Sequence, residues 1–154
     1  MPSLTLASSS FTGGDISKKC TCDGSEASPE LSWGQPPSGT QSFALIVIDR
    51  DSPFGFKFLH WTVYDLPAAA RGIPEDLPKQ GDLPDGSRQG RTDFGKIGYG
   101  GPCPPGHSAH RYAFTLYALN TKLGLPAGAK KKEIEKAMKG RILAQGELIG
   151  SYKH

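Results

Sequence analysis

Cysteine is scarce in this chain: Cys20, Cys22 and Cys103 are the only three among 154 residues. So small and odd a number excludes the disulfide framework of a small secreted domain. Cys20 and Cys22 are separated by one residue rather than the two of a common zinc knuckle, and no second pair answers them. Zinc held by these thiols is therefore not expected. A Cys22–Cys103 bond stays open, because it depends on whether two distant loops meet. Long apolar runs are also missing; no window approaches the length of a membrane span. The N-terminus, MPSLTLASSSF, lacks a basic stretch followed by a continuous apolar core. No signal peptide is expected, and the default location is cytoplasmic. A net charge of +3 favours neither nucleic acid nor a membrane surface as partner. There is no G-x-S-x-G elbow, and Cys103 sits between Pro102 and Pro104 with no helix N-terminus to activate it. No internal repeat is visible.

What the chain has in quantity is glycine, 20 residues, and proline, 13, against a hydrophobic content of 36%. That balance favours a loop-rich, mostly β fold in one domain spanning 1–154. The strongest strand signal is SFALIVID, residues 42–49. It is apolar on both faces, with Phe43, Leu45 and Val47 on one and Ala44, Ile46 and Ile48 on the other, so it is expected at the centre of a sheet. It leaves through Asp49-Arg50-Asp51-Ser52-Pro53, where either isomer of the Ser52–Pro53 bond is open.

A second strand is predicted over residues 60–66, with His60, Thr62 and Tyr64 on one face and Trp61 and Val63 on the other. A third runs over 111–119. Shorter strands are expected at 4–6 and 31–33, and residues 8–30 and 68–91 read as loop. Residues 129–139 carry Ile134, Ala137 and Met138 at helical spacing, with Gly140 as the stop. A closing strand follows over 142–152, with Leu143, Leu148 and Ile149 offered to the core. The architecture predicted is a β-sandwich with one short helix at its edge.

The stretch DFGKIGYGGPCPPGHSAHRY, residues 93–112, is too rich in glycine and proline for helix or regular strand. It reads as a loop with one defined path that delivers His110 to the start of a strand. Asp49, His60 and His110 each sit at a strand end, and Tyr112 shares a face with His110. If those strands are neighbours, two imidazoles, a phenol and the bare amides of Gly100 and Gly101 would converge. Such a set can cradle a small anion, with Asp49 orienting an imidazole rather than touching the anion. The same residues have plainer uses: a histidine at a strand end can be structural, and an aspartate near proline can simply form a turn. Asp plus two His also suggests a metal triad, but no HxD or HxH pattern supports it. The lysines at 130, 131, 132, 136 and 139 read as the solvated face of the helix.

The runs ALIVIDRDSP, HWTVYDLP and LPDGSRQGRTDFGKIGYGGPCPPGHSAHRYAFTLYAL closely resemble the phosphatidylethanolamine-binding protein (PEBP) family. CTCDGSEASPELSW and ILAQGELIGSY extend the resemblance to nearly the whole chain, and to the bacterial and archaeal Raf-kinase-inhibitor-like branch. It implies a PEBP-like β-sandwich, with a large antiparallel-rich sheet, a smaller sheet and an anion pocket. The family's D-P-D-x-P motif falls on Asp49, Asp51 and Pro53, with Arg50 in place of the motif's proline and Ser52 in place of alanine. The pocket histidines fall on His60 and His110, the latter followed by Arg111 and Tyr112, and the Gly-Pro wall on Gly101 and Pro102. The implied ligand is a phosphate-like anion or a phospholipid head group, without a cofactor or metal. The implied partner is a kinase or protease that the protein would inhibit. The contrasting expectation is a small hydrolase or metal-assisted enzyme built on the same Asp/His/His set.

Overall fold

The structure is a computed structural model that describes residues 2–153, apart from the Phe54 side chain. Two sheets carry the fold. The larger has seven strands in the order β2-β3-β10-β9-β5-β6-β8, and the smaller has three in the order β1-β4-β7. The long strands are β5 (Ser42–Asp49), β6 (Phe58–Pro67), β9 (His110–Leu119) and β10 (Ile142–Tyr152). The short ones are β1 (Leu6–Ala7), β2 (Phe11–Thr12), β3 (Asp15–Ile16), β4 (Leu31–Trp33), β7 (Gly72–Ile73) and β8 (Arg88–Gln89). All strand pairs are antiparallel except β10 with β3.

β5 lies between β6 and β9, as a strand apolar on both faces must. Phe43, Leu45 and Val47 meet Leu31, Trp33 and Ile73 of the smaller sheet, and this is the sandwich core. Ala44 and Ile46 face the other way, onto the helix α1 (Lys131–Met138), through Ile134 and Met138. The helix begins where the Glu133 carboxylate accepts the backbone N–H of Lys130, and ends before Gly140, whose φ is +77°. Burying Ile134 and Met138 contributes about 2–3 kcal/mol each, far more than the helix's own propensity.

Several sequence expectations change. The N-terminal strand forms at Leu6–Ala7, starting two residues later than the expected 4–6, while Leu4 donates its N–H to Gln145 O at 2.9 Å. Residues 8–30 are not all loop: β2 and β3 are too short to leave a period in the sequence, yet β3 extends the large sheet beside β10. In β10 the buried residues are Ala144, Gly146 and Gly150, while Leu143, Leu148 and Ile149 are half-buried. The N-terminal segment packs hard on this strand. A Cβ at Gly146 would lie 2.2 Å from Leu4 O, and one at Gly150 would lie 2.6 Å from Phe11 and Ile16. The excursion over 68–91 is not all loop either: it carries β7 and β8, one on each sheet, and it is held by Gln89. Its buried amide accepts Trp61 Nε1–H at 2.7 Å and donates to Pro78 O and Gln80 O. There is no cis peptide bond among the described residues, so Ser52–Pro53 is trans.

Candidate functional site

Strand alternation does not place His60; a bulge does. Val47 pairs with Trp61 and Ile48 with Leu59, so His60 is the extra residue on its strand. Leu59 and Tyr64 face the helix, and Trp61 and Val63 face the sandwich core. Regular alternation groups His60 with Thr62 and Tyr64, as the sequence reading had it, and the position of Tyr64 makes that the helix side. The bulge instead turns its ring toward Tyr112, 5.1 Å away and perpendicular. β-Bulges next to functional sites commonly re-aim one side chain in this way.

The register of the sheet brings in the rest. Asp49 pairs with Tyr112 on one side and with Phe58 on the other, at the same end of β5. His110 opens β9, two residues before Tyr112. These residues line a cavity of about 230 Å³ with Ser52, Pro53, Phe94, Cys103, Pro104 and Pro105.

The polar atoms in it are held firmly. Asp49 is 6% exposed; its Oδ2 accepts His110 Nδ1–H at 2.7 Å and its Oδ1 accepts the Asp51 N–H at 2.8 Å. His60 Nδ1–H donates to Gly100 O at 2.7 Å. Both rings thus commit Nδ1 to a fixed acceptor, which leaves Nε2 as the ring atom open to a ligand. Burial pushes the His60 imidazole below its usual value of 6.5, although the Gly100 carbonyl and Asp49 pull the other way, so at neutral pH the ring is uncharged. Tyr112 is 1% exposed and its hydroxyl has no hydrogen-bond partner among the described residues. Burial pushes its ionisation upward, so it is a donor looking for an acceptor. A buried polar group left in this state costs about 1–3 kcal/mol, which a ligand oxygen would recover.

Asp51 and Arg111 stand outside the cavity and tie its rim. Arg111 donates to Asp51 through Nε at 3.0 Å, Nη2 at 2.9 Å and its backbone N–H at 2.8 Å. That fork holds the Asp51 carboxyl at about 2. Arg50 is exposed, with its N–H on Arg111 O at 2.8 Å, and it is not part of the lining.

Two sequence-predicted residues are placed otherwise. Gly101 and Pro102 do not line the cavity; Cys103, Pro104 and Pro105 do. Gly101 is packed on the N-terminal segment, where a Cβ would lie 2.8 Å from Cys20 O and 3.0 Å from Thr21 Cα. Pro102 O accepts the Cys22 N–H. The Gly100 N–H, expected to face the hollow, is bonded to His60 O at 2.9 Å. This pair of residues supports the wall from behind. Gly101→Ala should therefore cost about 1–3 kcal/mol, read from denaturant midpoints, because the nearest atoms are backbone and cannot step aside.

Sequence reasoning missed the aromatic mouth. Phe94 lies 4.8 Å from Phe58 and 5.2 Å from His60, and Phe94 remains 44% exposed. The available signal was an apolar aromatic inside an otherwise polar loop. It also left open the disulfide between Cys22 and Cys103, which the structure forms. Among the described residues no group of three or more His, Cys, Asp and Glu side chains is clustered to hold a metal.

A sequence model described as phosphatidylethanolamine-binding protein matches residues 7–153. This chain belongs to the phosphatidylethanolamine-binding protein family. It is 51% identical over 153 residues to a "UPF0098 protein" of Aquifex aeolicus, covering 97% of this chain and 88% of that one. Crystal structures of other proteins share its fold. YbcL of Escherichia coli, described as a member of the mammalian PEBP family, matches with a TM-score of 0.89 at 34% identity, over 98% of each chain. A putative PEBP homologue of Chlamydia trachomatis matches with a TM-score of 0.88 at 35% identity, over 100% of this chain and 99% of that one. The PEBP fold is thus mostly β here, with one α-helix among the described residues.

Proposed function

We propose that this PEBP-family protein is a binding module whose pocket holds a small phosphate-like anion, free or as the head group of a phospholipid. One observation carries the reading: two imidazoles with their Nδ1 atoms committed, and a buried phenol without a partner, share a cavity of about 230 Å³. Such a set offers up to three donors to one tetrahedral anion, and Asp49 orients His110 from behind. The pocket's rim, with Phe94 and Phe58, would be the surface shown to a kinase or protease partner. No described helix is long and apolar enough to cross a membrane. The cytoplasmic placement expected from the N-terminal composition stands beside an exposed disulfide, a bond that reducing compartments ordinarily keep open.

Isothermal titration with inorganic phosphate tests the reading. Saturable binding at millimolar concentration or below supports it, and no heat at ten millimolar overturns it. The pH dependence tests the chemistry. Sulfate can only accept hydrogen bonds, so it needs a proton on His60 Nε2, which the empty pocket holds only below 6.5. Binding therefore takes up a proton, and affinity rises as pH falls. The expected slope is about tenfold per pH unit for each imidazole that must gain its Nε2 proton on binding, and the His60 contribution levels off below its depressed value. A flat profile for sulfate would mean that His60 is not a donor to the anion.

A further inference from the structure

The wall of the pocket is tied by a bond that a small thiol can reach. Cys103 lines the cavity, is solvent-exposed, and is bonded to Cys22 of the N-terminal segment. Residues 105–109, which follow it and lead into His110, are all exposed. Just before the disulfide the same loop meets the N-terminal segment through the Cys22 N–H on Pro102 O at 3.1 Å, the Tyr99 hydroxyl on Cys20 O at 2.6 Å, and Gly101 packed on Cys20 and Thr21. Beyond those contacts the bond helps to set where Pro104 and Pro105 stand against the ligand, and how the backbone enters His110.

We propose that Cys22–Cys103 is a redox modification site that sets how tightly the pocket holds its anion, a proposal that rests on the anion-binding reading above. The substrate class is a dithiol. One thiolate attacks Sγ of Cys103, the more exposed residue of the pair; the S–S bond breaks and Cys22 leaves as a thiolate that takes up a proton. The second thiol of the reagent attacks the mixed disulfide, releases Cys103 as a thiol and closes the reagent's own disulfide. Two electrons pass to the protein pair and the dithiol is oxidised.

The third cysteine does not interfere. Cys20 is fully buried, and burial pushes its thiol up to about 11, so it stays neutral and cannot reshuffle with the pair. The switch therefore has two states. In the closed state the wall is pre-organised. In the open state its residues must be ordered by the ligand, which lowers affinity without removing any contacting group.

The experiment is a phosphate titration of the oxidised protein, of the dithiol-reduced protein with its free thiols counted by mass, and of the double variant Cys22→Ser/Cys103→Ser. Near-ultraviolet circular dichroism follows the fold throughout. The expected result is a folded reduced protein that binds phosphate at least about fivefold more weakly, recovers on reoxidation, and is matched by the double variant. Equal affinity in the two folded states overturns this proposal and leaves the anion reading intact. Global unfolding on reduction also overturns it, since the bond would then be a staple of the whole fold. An oxidised protein that ignores phosphate overturns both.

Discussion

Replacing Cys22 and Cys103 by serine should lower stability by about 4–5 kcal/mol. The pair closes a loop of sequence separation 81, and in the chain-entropy account a loop of that size is worth about that much. For a chain of 154 residues, the melting temperature should fall by roughly 10–15 °C. The effect arises largely in the unfolded chain, which regains the freedom that the cross-link removed. The native contacts around Gly101, Pro102 and Thr21 should persist, because they are made by backbone and not by sulfur. Thermal and denaturant unfolding of oxidised wild type and double variant provide the measurement. A loss under about 1 kcal/mol would mean that the bond is not closed in solution or that the unfolded chain is already compact.

His110→Ala should weaken phosphate binding by about 10- to 100-fold. Removing one hydrogen bond to a charged group costs about 1.5–3 kcal/mol, and each 1.4 kcal/mol is tenfold in affinity. The substitution acts twice. It deletes Nε2, and it frees Asp49 Oδ2, leaving a carboxylate that is 6% exposed without its imidazole. That carboxylate then repels the anion it had served indirectly. Stability should fall as well, by about 1–3 kcal/mol, as a buried acceptor loses its donor. Calorimetric titration and urea unfolding separate the two effects. His60→Ala offers a useful contrast, because its partner is a neutral carbonyl: it should cost binding without creating a stranded charge.

Much of this arrangement was legible in the sequence, for identifiable reasons. SFALIVID could only be a central strand, since both its faces are apolar, and it is buried on both. The helix followed from Ile134 and Met138, and the closing strand fell on the same residues, 142–152, as expected. Asp49, His60 and His110 were chosen as strand-end residues and Tyr112 as sharing a face with His110; β5, β6 and β9 are neighbours, so the four converge, although His60 is the third residue of β6 and not its first. Less legible was anything set by tertiary packing. Alternation put His60 on the helix side, because the extra residue of a bulge leaves no mark in a run of strand-forming residues. The composition of the glycine–proline loop announced a fixed path but not its height. The wall slid from Gly101 and Pro102 to Cys103–Pro105 because the former pair is taken up by Cys20, Thr21 and Cys22. Gly146 and Gly150, on which the sequence reading placed nothing, are sites where the N-terminal segment lies against the strand. Phe94 was passed over because its function depends on Phe58 and His60, which are distant in sequence.

The central claim is that His60 and His110 hold one anion together. The most direct test is a phosphate titration of histidine-labelled protein, following the ring nitrogens of both residues by NMR. The account predicts that the Nε2 signals of both rings move toward the protonated, donating form, with one shared midpoint, and that the Nδ1 signals stay hydrogen-bonded throughout. Rings that do not respond to ten millimolar phosphate, or that respond with separate midpoints, would contradict it.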